Sequence, residues 1–290
     1  MNSVRSDMAD ELRRRHSGEL PGVACREETL EGLPVFALEI LDEAGERALG
    51  KPRGRYFTLT LPPHFERGAG DFPAAAQALS ALIRRCLPAR RETVLAAALG
   101  NPDITPDALG SLAAGSLLVT RHLKESEPGS FRGFCSLALC RPGVLGTSGI
   151  ESAAQVATLC RAIRPELVVV IDALAGAEPE QLCRTVQVSD AGISPGSGVG
   201  NDRQELSART LGVPVVSLGM PTVIDAGLFG GDTLGQMFVT PRDIDALVRD
   251  GARVIAYALN LALHPGLTIS DVDALVSYVL ELVPLKYFEK

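Results

Sequence analysis

Tryptophan is absent from the 290 residues, and aromatic residues make up only 4%. A platform that stacks single-stranded bases on aromatic rings is therefore not expected. Cations are outnumbered, 28 Lys and Arg against 35 Asp and Glu, for a formal charge of −7. Duplex nucleic acid asks for a broad basic face, so direct nucleic-acid binding is not expected, though a local basic patch stays open. No C-x-x-C pair exists. The cysteines Cys25, Cys86, Cys135, Cys140, Cys160 and Cys183 are scattered, as buried thiols of a reducing cytoplasm would be. Long apolar runs are missing too. The most apolar stretch, Leu167 to Ala177, carries Asp172 and is too short to span a bilayer. Met1 to Arg15 is charged throughout, without the apolar stretch of a signal peptide. The expectation is a cytoplasmic protein with no membrane partner.

Several catalytic signatures are also lacking. There is no G-x-S-x-G elbow, and Gly146-Thr147-Ser148-Gly149 does not fit that pattern. There is no H-E-x-x-H, and His16, His64, His122 and His264 stand alone, so a histidine-built zinc site is not expected. His122, beside Arg121, reads as a helix-end or packing residue rather than a base. No cysteine sits in a nucleophile signature.

What is present reads as globular: 46% hydrophobic and 22% charged residues, enough to bury a large core. The length suits about one or two domains. No linker or repeat is visible, so one compact domain with an irregular N-terminal part is expected. Residues 1–20 read as a mobile, charged lead segment. Strand-like runs cover Val35–Ile40 and Tyr56–Leu61, and a helix is predicted over residues 73–87, with Ala75, Leu79, Leu82 and Ile83 on one face. Thr93–Leu99, Leu167–Ile171 and Val213–Leu218 are unbroken apolar runs, which suit strands covered on both faces. Helices are predicted between them, over about residues 107–123 and 151–164. This alternation predicts an α/β fold, a mostly parallel sheet with helices on both faces. A β-hairpin-like insert, Val186–Gly200, interrupts it. Two helices close the chain, one after Thr240-Pro241 and one capped by Ser270.

In open α/β sheets ligands bind beyond the carboxyl ends of the strands, and three loops stand out there. In Gly100 to Gly110, Thr105 can cap a helix with Pro106 at its first position. Asp107 then either complements the helix dipole, worth about 0.3–1 kcal/mol, or serves a site. Asp172 follows Val168-Val169-Val170-Ile171, where a carboxylate costs desolvation unless it is paired or reaches a cleft. It reads either as a cap for a following helix or as a cleft residue. On adjacent strands the two aspartates would share one cleft. Like charges there would leave one acid and one base, able to activate water and protonate a leaving amine. The third loop, Ser189 to Asn201, carries Gly192, Gly196, Gly198 and Gly200. It lacks the G-x-G-x-x-G and G-x-x-x-x-G-K-S/T patterns, so a tight, substrate-lining turn fits better than a phosphate cradle.

At these loops the sequence resembles the germination protease family of spore-forming bacteria. The matching stretches are Val4-Arg5-Ser6-Asp7, Gly54-Arg55-Tyr56, Leu99-Gly100-Asn101, Thr105-Pro106-Asp107-Ala108-Leu109-Gly110 and Leu118 to His122. They continue through Pro142-Gly143-Val144, Gly149-Ile150-Glu151, Ile171-Asp172-Ala173-Leu174-Ala175, Ile193 to Asn201, Leu211 to Val215, Pro221-Thr222-Val223 and Val239-Thr240-Pro241. The resemblance implies an atypical aspartic-type endopeptidase that needs no metal or cofactor, with Asp107 and Asp172 as its essential pair. It implies a fold similar to that of hydrogenase-maturation peptidases. Its substrates would be the small acid-soluble, DNA-protecting spore proteins, cut during germination after an acidic residue that precedes an apolar one. It further implies a self-processed precursor, a homo-oligomer (a tetramer), and action in the spore core or forespore. Val4 to Ala9 is similar to the family's processing site. Cleavage is therefore expected between Asp7 and Met8, with residues 1–7 as pro-segment and 8–290 as a single peptidase domain.

The family pattern has an aromatic and an amide where this chain has Pro102 and Asp103, so a third carboxylate lies near the proposed pair. The stretch between Asp232 and Val239 is also short. Backbone N–H groups of the Gly192–Gly200 turn, with Asn201, are candidates for binding substrate or oxyanion. Arg121 and Arg203 are candidate cations for the acidic residue before the cut. Two other readings stand beside this one. A hydrogenase-maturation-type peptidase would need a metal-dependent interaction and an extra ligand near Asp107. A nucleotide-binding regulator would use the glycine turn without catalysis.

Overall fold

A computed structural model describes residues 6–196, 204–230, 234 and 237–282. Among them nine strands form one sheet: β1 (Val23–Leu30), β2 (Leu33–Ile40), β3 (Gly54–Thr60), β4 (Thr93–Ala98), β5 (Ser136–Cys140), β6 (Leu167–Gly176), β7 (Thr185–Ser189), β8 (Val215–Asp225) and β9 (Phe238–Val239). Their spatial order is β1-β2-β3-β7-β8-β6-β4-β5, with β9 paired to β8. The helices are α1 (Ala9–Arg14), α2 (Glu43–Leu49), α3 (Phe72–Cys86), α4 (Leu109–Ala114), α5 (Arg121–Ser126), α6 (Leu145–Ser148), α7 (Ser152–Ile163), α8 (Ala208–Leu211), α9 (Gly227–Gly230), α10 (Ile244–Leu263) and α11 (Ile269–Leu282). No described helix is long and apolar enough to cross a membrane.

The α/β class stands, with helices on both faces, but the sheet is mixed rather than mostly parallel. β8, β6, β4 and β5 run parallel, whereas β1, β2, β3 and β7 are joined antiparallel. The cause is local at one edge. Glu31 and Gly32 both have positive φ, 51° and 79°, the two-residue turn that folds β1 straight back onto β2. The expected insert is also corrected. Residues 185–189 are an internal strand bonded to β3 and β8, and β7 thereby welds the two halves of the sheet.

The apolar runs do what an unalternated pattern implies. Leu167, Val169 and Ile171 of β6 enter a core with α3, α4 and α10. Val168 and Val170 enter a second core with Val156 and Cys160 of α7. On that second face a third, smaller core joins Ala9 of α1 to Leu38, Ile40, Leu49 and Tyr56.

Four element predictions need correction. Residues 6–11 are not a loose lead. Met8 and Ala9 are buried, and the carboxylates beside them are hydrogen-bonded. Asp10 accepts from Thr58 Oγ1 at 3.0 Å and Gln181 Nε2 at 2.7 Å. Glu11 accepts from the amides of Ala177 and Glu178 at 2.7 and 3.0 Å. The helix predicted over 107–123 is instead a 3-10 turn (Thr105–Asp107), then α4, then α5. Asn260 of α10 opens the gap: its Oδ1 accepts from Leu118 N and its Nδ2 donates to Ser116 O, at 3.0 and 2.8 Å. α10 starts at Ile244 with Asp243 at its N-cap position, and the Thr240 hydroxyl donates to Thr222 O at 3.0 Å. α11 is capped by Thr268 rather than Ser270, through reciprocal bonds between Thr268 and Asp271.

Candidate active site

Strand β4 stops at Ala98, opposite Ile171, while β6 and β8 continue together to Gly176 and Ile224. Asp172 is therefore the first residue of β6 beyond the end of its neighbour. It lies inside a strand, not after one, so it caps no helix. The chain leaves β4 through Leu99-Gly100-Asn101, and Asp107 closes this turn: Asn101 N donates to Asp107 Oδ2 at 2.8 Å. Gly100 has φ +98°, and a Cβ there would stand 1.9 Å from Asp107 O. Gly110, at the start of α4, lies against the backbone of both strand ends. A Cβ on it would meet Leu99 O at 2.4 Å and Ile171 O at 2.7 Å. The missing side chains at Gly100 and Gly110 let the loop and α4 seat directly on β4 and β6. Asp107 and Asp172 consequently line one cleft.

Asp172 is 5% exposed, and its Oδ1 accepts from Ala173 N at 3.0 Å. Across the sheet it pairs in register with Gly219 of β8, which pairs in turn with Gln187 of β7 and then, through Gln187, with Thr58 of β3. Residues in register share a face. Thr58, Gln187, Gly219 and Asp172 thus form one row on the face that carries α7 over β4 and β6 and α1 over β2 and β3. At its centre Gly219 has no side chain, and Leu174 packs into the space a Cβ would take, 2.5 Å from that position.

Residues 6–11 cross this row. Ala9 N donates to Gln187 Oε1 at 2.7 Å, and Gln187 Nε2 donates to Asp7 O at 3.2 Å. Lys51 Nζ donates to the same carbonyl at 2.9 Å. Burial pushes the Lys51 ammonium below its usual range, and the charge of Asp7 opposes that shift. Asp7 also lines the cleft of Asp107 and Asp172.

The other predicted residues fall as follows. Gly196 lines the same cleft, and Gly192 lines the adjoining hollow with Lys51 and Gln187. Gly198, Gly200, Asn201 and Arg203 lie outside the described residues. Met8 is buried beside Asp7. Arg121 begins α5, is paired with Glu125 at 3.4 Å, and is not among the residues lining the cleft. Asp103 is exposed on the turn, its N–H bonded to Asn101 Oδ1 at 3.0 Å, and does not line the cleft. Among the described residues no group of three or more His, Cys, Asp or Glu could hold a metal ion. Sequence reasoning missed Lys51, Gln187 and the cleft-lining Ser152 and Thr222. Gln187 carried a signal, as the one amide in the alternating run Thr185-Val186-Gln187-Val188-Ser189. Lys51 carried none.

The chain is similar to known proteins along most of its length. The germination protease family model matches residues 3–238. A germination protease of Caldanaerobacter subterraneus is 37% identical over 94% of this chain and 98% of its own. One from Clostridium perfringens is 37% identical over 94% and 99%, and one from Priestia megaterium 38% identical over 80% and 66%. Among solved structures, the NiFe hydrogenase maturation protease HycI of Thermococcus kodakarensis matches 63% of this chain and 98% of its own, at 18% identity and a TM-score of 0.38. By the extent of the family match and of these relatives, the chain belongs to the germination protease family.

Proposed function

We propose that this protease is an endopeptidase that cuts small acid-soluble spore proteins after an acidic residue, with Asp107 and Asp172 as an aspartic-type catalytic pair. The observation that carries the reading is their convergence in one cleft at the end of β4, together with the chain's own Asp7. One carboxylate, ionised, takes a proton from water as the water oxygen bonds to the scissile carbonyl carbon. The other, protonated, hydrogen-bonds the carbonyl oxygen. As the tetrahedral intermediate collapses, the carbon–nitrogen bond breaks and the protonated carboxylate gives its proton to the nitrogen, leaving a carboxylate and an amine. A coupled pair titrates as a unit, so the two roles belong to the pair. Gly196, which lines the cleft, is the candidate for a backbone N–H that stabilises the developing oxyanion.

The same reading covers maturation. Asp7 lines the cleft, which supports cleavage between Asp7 and Met8, with residues 1–7 as the part removed and 8–290 as the peptidase domain. Family membership supports spore proteins as substrates and the spore as the place of action, and a homo-oligomer is part of the proposal.

Incubation of the full chain with a small acid-soluble spore protein, followed by mass spectrometry, tests this. Expected are discrete cuts after Glu or Asp and loss of residues 1–7 from the enzyme. Both should vanish with Asp172→Asn. Cuts elsewhere, or an Asp172→Asn chain that works normally, would sink the proposal.

A further inference from the structure

Asp7 is held at each of its polar groups. Its amide donates to Ala175 O at 2.8 Å, and its Oδ2 accepts from Ala175 N at 2.9 Å. Its carbonyl oxygen receives both Lys51 Nζ and Gln187 Nε2. The two side-chain donors, one of them a half-buried cation, occupy both lone pairs of one backbone carbonyl. The donors come from separate parts of the molecule. Lys51 stands just past α2, where Gly50 in the left-handed conformation turns the chain. Gln187 lies in the row that ends at Asp172, with Gly219 between them.

We propose that Lys51 and Gln187 form the subsite for the acidic residue on the amino side of the cleaved bond, and that Asp7 occupies it as a substrate residue would. The inference rests on the proposed function and deepens it. The carbonyl these donors hold belongs to the peptide bond that joins Asp7 to Met8. In hydrolysis of that bond its oxygen gains negative charge, and donors aimed at such an oxygen favour the transition state over the ground state. The carboxylate of the same residue accepts from the Ala175 amide, three residues along β6 from Asp172, and the Lys51 ammonium stands 2.9 Å from that residue's carbonyl oxygen. A substrate with Asp or Glu at this place gains both contacts, and one with Asn or Gln loses the charge-assisted part. Lys51 thereby fills the role for which the sequence offered Arg121, whose guanidinium is paired with Glu125.

The test uses the full chain and a small acid-soluble spore protein with one cleavage site, carrying either Glu or Gln before the cut. The wild-type enzyme should prefer Glu by about ten- to a hundredfold in kcat/KM, the scale of a hydrogen bond to a charged group. Lys51→Met should lower cleavage of the Glu substrate by a similar factor and leave little preference. Gln187→Glu keeps the acceptor that Ala9 uses and removes the donor. It should lower kcat on both substrates with KM little changed, and thermal unfolding of each variant should show an intact fold. A residue that only pins the N-terminal segment would not move the Glu-to-Gln ratio, so a Lys51→Met enzyme with wild-type preference overturns the subsite. So does a Gln187→Glu enzyme with wild-type kcat. Cleavage of neither substrate by the wild-type chain contradicts the proposed function itself, and the subsite falls with it.

Discussion

His264, at the end of α10, is buried. It is 1% exposed, its Nδ1 lies 3.7 Å from Cys135 Sγ, and its ring packs on Phe134 with centroids 5.1 Å apart. Burial pushes its pKa down to about 4, the Leu118 backbone opposes the shift, and the Lys124 charge adds to it. In the unfolded chain the ring takes a proton near pH 6.5. Between these values the unfolded state binds more protons, so stability is lost as pH falls from about 6.5 to about 4. The shift corresponds to about 3 kcal/mol. Urea unfolding across this range should show the loss in the wild-type chain and a shallower one in His264→Gln. Equal slopes in the two proteins would refute the assignment. The buried carboxylates of Asp10 and Glu11 teach the complementary lesson. A charged N-terminal stretch reads as solvated because several of its partners, Thr58, Gln181 and Ala177, lie far off in sequence.

At the scale of elements, what could be read in the sequence was whatever burial alone dictates. The run Leu167–Ile171 announced a strand covered on both faces, and its alternate residues do enter two cores. The helix predicted over 73–87 is α3, Phe72–Cys86. The strand-end rule led to Asp107 and Asp172 before any resemblance was invoked, and the fold brings them to one cleft. The antiparallel half was hidden because β7 is short, carries a polar Gln187, and finds its neighbours β3 and β8 only through long-range pairing. The break between α4 and α5 was hidden because Asn260 makes it from over a hundred residues away. Gly110 belongs to this scale as well. Its Cβ clash with Leu99 O and Ile171 O is with backbone, which cannot swing aside. Gly110→Ala should therefore cost about 1–3 kcal/mol by overpacking and displace α4 together with Asp107. A lowered melting temperature with lost activity is expected, and an unchanged melting temperature would show that the seat has slack.

For the whole molecule, the site lies where the second helical layer is interrupted. On one face α3, α4 and α10 cover the sheet, while on the other α7 covers one end and α1 the other. Between them Gln187, Gly219 and Asp172 share the face crossed by residues 6–8 and the first turn of α1. A cleft, a pair of carboxylates and a bound acidic residue coincide there, and in the proposed mechanism the two carboxylates act as one unit. The direct measurement is kcat on a small acid-soluble spore protein for Asp107→Asn, Asp172→Asn and the double variant. Each amide can still accept the backbone bond its carboxylate accepts, so melting temperatures should stay within a few degrees. Each single variant should lose at least about a hundred- to ten-thousandfold, the range of general acid–base catalysis. The double should be little worse than either, as for groups that work together. A single variant near wild-type rate, or a double whose loss is the product of the two singles, would contradict the account.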